Sequence, residues 1–165
     1  MLDQLIHQYG RRLYGLCLTL CTNQYDAEDL YQDTWLKALQ YLDRYDVVRE
    51  FEPWLTAICV NTYRDRLRRL KKSPFFHSFR SNEEKDRLFA DVQASAAPDY
   101  APLYAAIDRL PDRLRLTIIL FYFRQMDLQS TANILHIPVG TVKSRLNRAR
   151  NELKEVLQDE PDLRI

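Results

Sequence analysis

Hydrophobic residues recur at intervals of three and four along most of the chain, the spacing that places them on one face of an α-helix. The clearest example is the predicted helix Asp26–Leu42, which Asp26 is placed to cap. Its inward-facing positions are Ala27, Leu30, Tyr31, Thr34, Ala38 and Leu42. A second helix follows, with Pro53 in its first turn. Alternating strand patterns never extend beyond a few residues. The chain is therefore predicted to be all-α.

One apolar run is ambiguous. Thr117–Phe123 (TIILFYF) could form a buried strand, but its neighbours Leu110 and Leu114 continue a helical spacing. A buried helix is therefore the favoured interpretation.

The segment 73–102 interrupts the helical pattern and contains three of the seven prolines. We interpret it as a flexible linker with one short helix near residues 83–92. The sequence then predicts two small helical domains, residues 1–72 and 103–160.

Charge is distributed unevenly, although the formal net charge is only +1. Residues 61–72 carry six basic side chains and one acidic side chain, and residues 138–154 carry five and one. The remainder is mostly acidic. Two separate basic segments indicate two contact points on a polyanion rather than a uniformly basic surface.

Several classes of protein are disfavoured. The three glycines are too scattered for a phosphate-binding loop, no apolar run is long enough to span a membrane, and the first residues lack a signal peptide. We therefore expect a cytoplasmic protein without direct membrane insertion. The cysteines, Cys17, Cys21 and Cys59, are expected to be buried core residues. The alternative is a thiol sensor or a metal site completed by one or more of His7, His77 and His136, although paired zinc-ligand spacing is absent.

Residues 128–151 (LQSTANILHIPVGTVKSRLNRARN) follow the plan of a helix-turn-helix. The first helix is predicted at Leu128–Leu135, and Pro138 ends the turn. The second helix begins near Val139 or Gly140, with Thr141 as its cap, and buries Val142, Leu146 and Ala149. Its outward side chains are hydrogen-bond donors suited to phosphates and base edges in a major groove. They are Lys143, Ser144, Asn147, Arg148, Arg150 and Lys154.

The other basic segment also lies on a helix face, made of Asn61, Arg64, Asp65, Arg68, Arg69 and Lys72. Tyr45, Phe51, Trp54 and Tyr63 lie nearby in sequence. Aromatic rings beside cations are suited to single-stranded DNA, because bases stack on the rings while cations follow the backbone. The alternative, that the rings are core and the charges merely solvated, stays open at this point.

The helix Asp26–Leu42 concentrates Asp26, Glu28, Asp29 and Asp33 beside Trp35 and Leu36, which look exposed. Carboxylates can serve acid–base or metal chemistry, but no second acidic cluster or spaced histidine accompanies them. A protein-binding face with an aromatic anchor is the better interpretation.

Three segments together resemble the extracytoplasmic-function group of sigma-70-type RNA polymerase sigma factors. They are DAEDLYQDTWLKAL (26–39), FEPWLTAICVNTYRDRLRR (51–69) and LQSTANILHIPVGTVKSRLNRARNEL (128–153). The resemblance implies a sigma2-like domain and a sigma4-like domain in that order, no catalytic residues and no cofactor or metal.

The resemblance also implies roles for particular residues. The core-polymerase contacts, on the β′ clamp helices, would be Asp29, Leu30, Gln32, Asp33, Trp35 and Leu36. The sigma4-like domain would meet the β flap. The melted −10 element would be held by Tyr45, Phe51, Trp54, Asn61, Arg64, Arg68 and Arg69. The −35 element would be read by Thr141, Lys143, Ser144, Asn147 and Arg148.

The same resemblance implies promoter DNA as a partner, a linker that threads toward the polymerase active centre, and an inhibitory anti-sigma factor, often membrane-anchored. Two departures from the family pattern stand out. Gln129 and Ser130 occupy positions that are usually acidic, and the segment 43–52 lacks a common glycine. The competing hypothesis is a dimeric helix-turn-helix regulator that acts without polymerase. An enzyme using the acidic helix is a third, weaker alternative, because no nucleophile–base pair is visible.

Overall fold

A computed structural model describes residues 1–72 and 101–158 of the 165-residue chain. Within those ranges it contains seven α-helices and no strand, which confirms the all-α prediction. The chain divides into two compact units, residues 1–92 and 93–165. The predicted short helix near 83–92 lies outside the described residues.

The first unit is built from three helices that all pack against one another, α1 (Leu2–Leu20), α2 (Gln24–Tyr41) and α3 (Phe51–Lys71). A 3₁₀ turn, Leu42–Arg44, follows α2. Each helix contributes one apolar face to a shared core, as the spacing of three and four requires. The largest fully buried aliphatic side chains of this unit are Leu16, Leu20, Leu30 and Val60.

The cap of α2 differs from the prediction. Asn23, not Asp26, occupies the N-cap, and its Oδ1 accepts a hydrogen bond from the Asp26 backbone N–H at 2.9 Å. The N-cap therefore lies three residues before the predicted one, and the helix starts at Gln24. Asp26 lies in the first turn, where its negative carboxylate interacts favourably with the positive end of the helix dipole.

The second unit contains α4 (Ala101–Arg109), α5 (Asp112–Ile118), α6 (Leu128–Leu135) and α7 (Val139–Leu157). Helix α4 begins two residues before the predicted domain start. Helix α7 packs against α4, α5 and α6, so its buried stripe forms the centre of this unit's core. That stripe consists of Val142, Leu146, Ala149, Leu153 and Leu157.

The ambiguous run Thr117–Phe123 is helical, as favoured, but it changes character within its length. Ile119–Phe123 forms a π-helical turn at the end of α5. Ile119 and Leu120 are fully buried there, whereas Tyr122 and Phe123 are exposed. The wider turn thus directs two aromatic side chains outward, a feature that hydrophobic spacing alone does not reveal.

Candidate functional site

The acidic helix α2 presents one exposed face composed of both polar and apolar residues. Asp29, Gln32 and Leu36 lie on it, and Leu36 is 58% exposed. Tyr25 and Leu39 extend the same face, because they stand four residues before Asp29 and three after Leu36. Neither residue was predicted from the sequence as part of this face, although their helical spacing was the available signal. We call Tyr25, Asp29, Gln32, Leu36 and Leu39 the α2 face.

Two residues assigned to a partner contact are core residues instead. Leu30 has no exposed surface, and Trp35 is only 6% exposed, so the expectation that Trp35 is exposed is wrong. The Trp35 ring packs 6.3 Å from Tyr31 and 6.5 Å from Phe51, measured between ring centroids. The cause is geometric, because Leu30 lies within the inward stripe of α2, and Trp35 borders that stripe, from where its large indole reaches the core.

Asp33 forms an ion pair within the first unit. Its Oδ2 receives a hydrogen bond from the Arg66 guanidinium at 2.6 Å, and Arg66 also reaches the backbone oxygen of Asp26 at 3.3 Å. This ion pair ties α2 to α3. The Asp33 side chain is still half-exposed, so it joins the two helices and also forms part of the surface.

An aromatic cluster lies where α3 begins. Tyr45, Phe51 and Trp54 form a triangle with ring centroids 4.9 to 5.4 Å apart. Phe51 is buried and serves as the base of the cluster, so its assignment as a direct DNA contact is corrected to a core role. Tyr45 and Trp54 are half-buried and keep part of their rings accessible.

The loop before α3 is organised by its own hydrogen bonds. Asp46 accepts bonds from the Val48 and Arg49 backbone N–H groups, through its side chain at 3.1 Å and its carbonyl at 2.9 Å. The Tyr45 hydroxyl donates to the Arg49 carbonyl. The tight turn exposes Val47 and Val48, which are 85% and 89% accessible and which the sequence analysis did not single out.

The basic face of α3 is arranged as predicted. Asn61 and Arg64 are half-buried near the middle of the helix, whereas Arg68 and Arg69 are exposed in its last turn. Arg68 forms a solvent-exposed ion pair with Asp65, one turn away, at 3.2 Å. Such an exposed pair is weak and leaves the cation available to an anionic ligand.

The helix-turn-helix is present in the second unit. Asp127 caps α6 by accepting a 2.6 Å bond from the Ser130 backbone N–H, and this contact lowers the pKa of the Asp127 carboxyl. His136 adopts a left-handed conformation with φ 55°, which turns the chain toward α7. The predicted cap at Thr141 is wrong, because Pro138 occupies the N-cap and Thr141 lies inside the helix.

The outward face of α7 carries the predicted donors. Lys143, Ser144, Asn147 and Arg148 are exposed, and Thr141 is partly buried. Arg148 Nε lies 3.1 Å from Glu152 Oε1 in an exposed ion pair. The face therefore combines small, amide and cationic side chains over its first three turns.

The three cysteines are buried, which confirms the core interpretation. Cys17 Sγ lies 3.8 Å from Cys59 Sγ, and this hydrogen-bonding contact together with burial raises the pKa of the Cys17 thiol. Among residues 1–72 and 101–158, no cluster of three or more histidine, cysteine, aspartate or glutamate side chains could hold a metal ion. His77 lies outside these ranges. Within them, no helix is long and apolar enough to cross a membrane.

Comparisons with known proteins agree with these two units. Residues 5–73 match Sigma-70 region 2, and residues 100–153 match Sigma-70 region 4. The ECF RNA polymerase sigma factor SigW of Bacillus subtilis (strain 168) is 31% identical over 92% of this chain and 86% of its own length.

Two solved structures are similar along nearly the whole chain. One is the sigma factor RpoE in complex with the anti-sigma factor NepR from Bartonella quintana, with a TM-score of 0.73, 24% identity, and 96% and 97% of the two chains covered. That likeness concerns the fold. The other is CnrH in complex with the cytosolic domain of CnrY, with a TM-score of 0.70, 26% identity, and 96% and 88% covered. The chain therefore belongs to the extracytoplasmic-function (ECF) family of RNA polymerase sigma factors.

Proposed function

We propose that this chain is a non-enzymatic transcription initiation factor that binds core RNA polymerase and directs it to particular promoters. In this proposal, residues 1–72 bind polymerase and the melted −10 element, 73–102 connect the units, and 103–160 bind the −35 element. The observation that carries the proposal is the combination, in one chain, of an exposed polar helix-turn-helix and an aromatic cluster beside a basic helix.

The −35 element would be read as duplex DNA by α7. A recognition helix enters the major groove with its N-terminal residues toward base edges. Lys143, Ser144 and Asn147 are exposed in the first three turns, where they can reach bases. Arg148 lies at the edge of this group and suits a phosphate, which contributes affinity without sequence information.

The −10 element would be captured as a single strand by the first unit. Tyr45 and Trp54 offer partly accessible rings, and stacking on an aromatic side chain contributes roughly 1–3 kcal/mol per base. Asn61 can hydrogen-bond a base that has left the stack, while Arg64, Arg68 and Arg69 follow the backbone. Capturing an unpaired base offsets part of the cost of melting, a few kcal/mol per step.

Core polymerase would bind the α2 face. An apolar centre at Leu36 with a polar and acidic rim is the usual composition of a protein interface. Asp29, Gln32 and Leu36 remain contact candidates, and Asp33 joins them while paired to Arg66. Leu30 and Trp35 support this surface from beneath. The second unit would meet the polymerase β flap.

An anti-sigma factor is the further partner in this proposal. One solved relative, the sigma factor RpoE, was crystallised with the anti-sigma factor NepR, and another, CnrH, was determined in complex with the cytosolic domain of CnrY. An inhibitor that covers the α2 face and α7 would block both polymerase and DNA. A membrane-anchored inhibitor would then hold this otherwise cytoplasmic chain at the membrane.

In vitro transcription with purified core polymerase tests the function. We expect the chain to select promoters from a library only when core enzyme is present, and to bind duplex DNA weakly alone. Tight binding of the free chain to a two-fold symmetric site, without stimulated transcription, would instead support a dimeric regulator.

Asn61→Ala separates the two DNA roles. We expect it to slow promoter opening, measured by permanganate reactivity of unpaired thymines, while leaving closed-complex affinity nearly unchanged. Arg148→Ala is the matched comparison, because a lost phosphate contact lowers closed-complex affinity first. Equal losses in both steps for Asn61→Ala would contradict the strand-capture role.

A further inference from the structure

We propose that Tyr122 and Arg150 are positioning residues that set the orientation of the Asn147 amide, and thereby the bases that α7 accepts. The inference rests on the proposed function, because it assumes that α7 reads the −35 duplex. It adds two residues that lie outside the predicted −35 set.

A continuous network connects the π-helical turn to the exposed face of α7. The Tyr122 hydroxyl accepts a hydrogen bond from Arg150 Nε at 2.5 Å, and the guanidinium carbon lies 5.6 Å from the centre of the Tyr122 ring. Arg150 Nη1 then donates to Asn147 Oδ1 at 3.2 Å. The tyrosine thus holds a partly buried arginine, and the arginine holds an exposed amide.

The chemistry of the arginine determines which way the amide faces. A guanidinium nitrogen can only donate hydrogen bonds, so the Asn147 atom that faces Arg150 must be the oxygen. The amide NH₂ group is consequently directed away from Arg150 and remains available as a donor. Without Arg150, the amide is free to rotate by half a turn and to present either its oxygen or its NH₂ group.

This fixed orientation has a consequence for base recognition. In the major groove, adenine, guanine and thymine each present a hydrogen-bond acceptor, whereas cytosine presents only an amino donor. An outward NH₂ group therefore disfavours cytosine, because two donors would face each other. Adenine is favoured most, since the second lone pair of Oδ1 can still accept from its amino group.

The test uses holoenzyme assembled from core polymerase and the full chain, with promoters randomised across the −35 element. Transcript yield for each base is compared among the wild type, Asn147→Ala, Arg150→Met and the double variant. We expect the wild type to disfavour cytosine at one position roughly five- to tenfold, the lower range for a specific base contact. Each single variant should reduce this preference to about twofold, and the double variant should reduce it no further.

Two further variants keep the interpretation clear. Lys154→Met removes one positive charge from an exposed position of the same helix, so it should lower yield on all sequences alike and keep the base preference. Tyr122→Phe removes only the hydroxyl and should weaken the preference in part. It serves as the test if circular dichroism shows that Arg150→Met does not fold.

Four outcomes would overturn the inference. Arg150→Met could act uniformly, as Lys154→Met does. In the double variant, the effects of Arg150→Met and Asn147→Ala on the base preference could multiply. Alternatively, the wild type could show no base preference that Asn147→Ala removes. In these three cases the holoenzyme still initiates transcription and the proposed function stands. Absence of transcripts with the wild-type chain would instead overturn the proposed function, and this inference with it.

Discussion

Leu30 and Leu36 allow the same chemical change to be made in two opposite environments of α2. Leu30 has no exposed surface, whereas Leu36 is 58% exposed. Leu30→Ala should lower the free energy of unfolding of the first unit by about 3 kcal/mol, from lost burial and the cavity left behind. Leu36→Ala should change it by less than about 0.5 kcal/mol. It should instead weaken core-polymerase binding, because Leu36 is the apolar centre of the α2 face.

Urea unfolding followed by tryptophan fluorescence measures the first unit selectively, because both tryptophans, Trp35 and Trp54, belong to it. With an m-value of about 1.5 kcal/mol/M, Leu30→Ala should lower the midpoint by about 2 M and Leu36→Ala by less than about 0.4 M. Polymerase binding is measured by co-migration with core enzyme. A Leu36→Ala variant that unfolds as early as Leu30→Ala, or that binds polymerase as tightly as the wild type, would contradict the contrast between the two positions.

Three further predictions concern other parts of the chain. In the native chain, the Cys17 thiol should resist alkylation that proceeds readily in urea, and fast labelling of the native chain would contradict this. The free energy of unfolding should fall above pH 9.0, because the raised pKa of Cys17 keeps the native thiol protonated while the unfolded thiol ionises. Asp127→Ala should lower the melting temperature of the second unit, measured by circular dichroism, because it removes the cap of α6. The wild type should lose the same stabilisation as the pH falls through the lowered pKa of the Asp127 carboxyl, whereas the stability of Asp127→Asn, whose amide does not titrate, should not show this pH dependence. Arg148→Ala should lower affinity for all −35 sequences alike and reduce the salt slope by about one, whereas Glu152→Gln, which removes a negative charge beside Arg148, should raise affinity for all of them; a change at a single base position would contradict the phosphate role.

The helix-turn-helix was the part most fully predicted from the sequence. The first helix spans Leu128–Leu135 as expected, and α7 starts at Val139 with Val142, Leu146 and Ala149 buried. These features depend on local rules, namely the spacing of apolar residues and the inability of Pro138 to continue a helix. The cap at Thr141 failed because several residues near a helix start are chemically able to cap it, and backbone geometry selects among them.

The candidate partner surface was predicted less completely. The sequence located it on α2 but included Leu30 and Trp35, which the core encloses. Spacing shows which residues share a helix face, yet the width of the buried face depends on how closely the neighbouring helices approach. Trp35 lies at that edge, and the nearby rings of Tyr31 and Phe51 decide that it is buried.

The all-α class, most of the helices, the two basic segments and the helix-turn-helix could be predicted from the sequence, because each follows from residues within a few turns of one another. The pairing of Asp33 with Arg66, the triangle of rings at the start of α3 and the contact of Tyr122 with Arg150 became apparent only in the folded chain. Those contacts join residues up to 33 positions apart. Local preferences carry no information about such distances, and only the packing of whole helices brings the partners together.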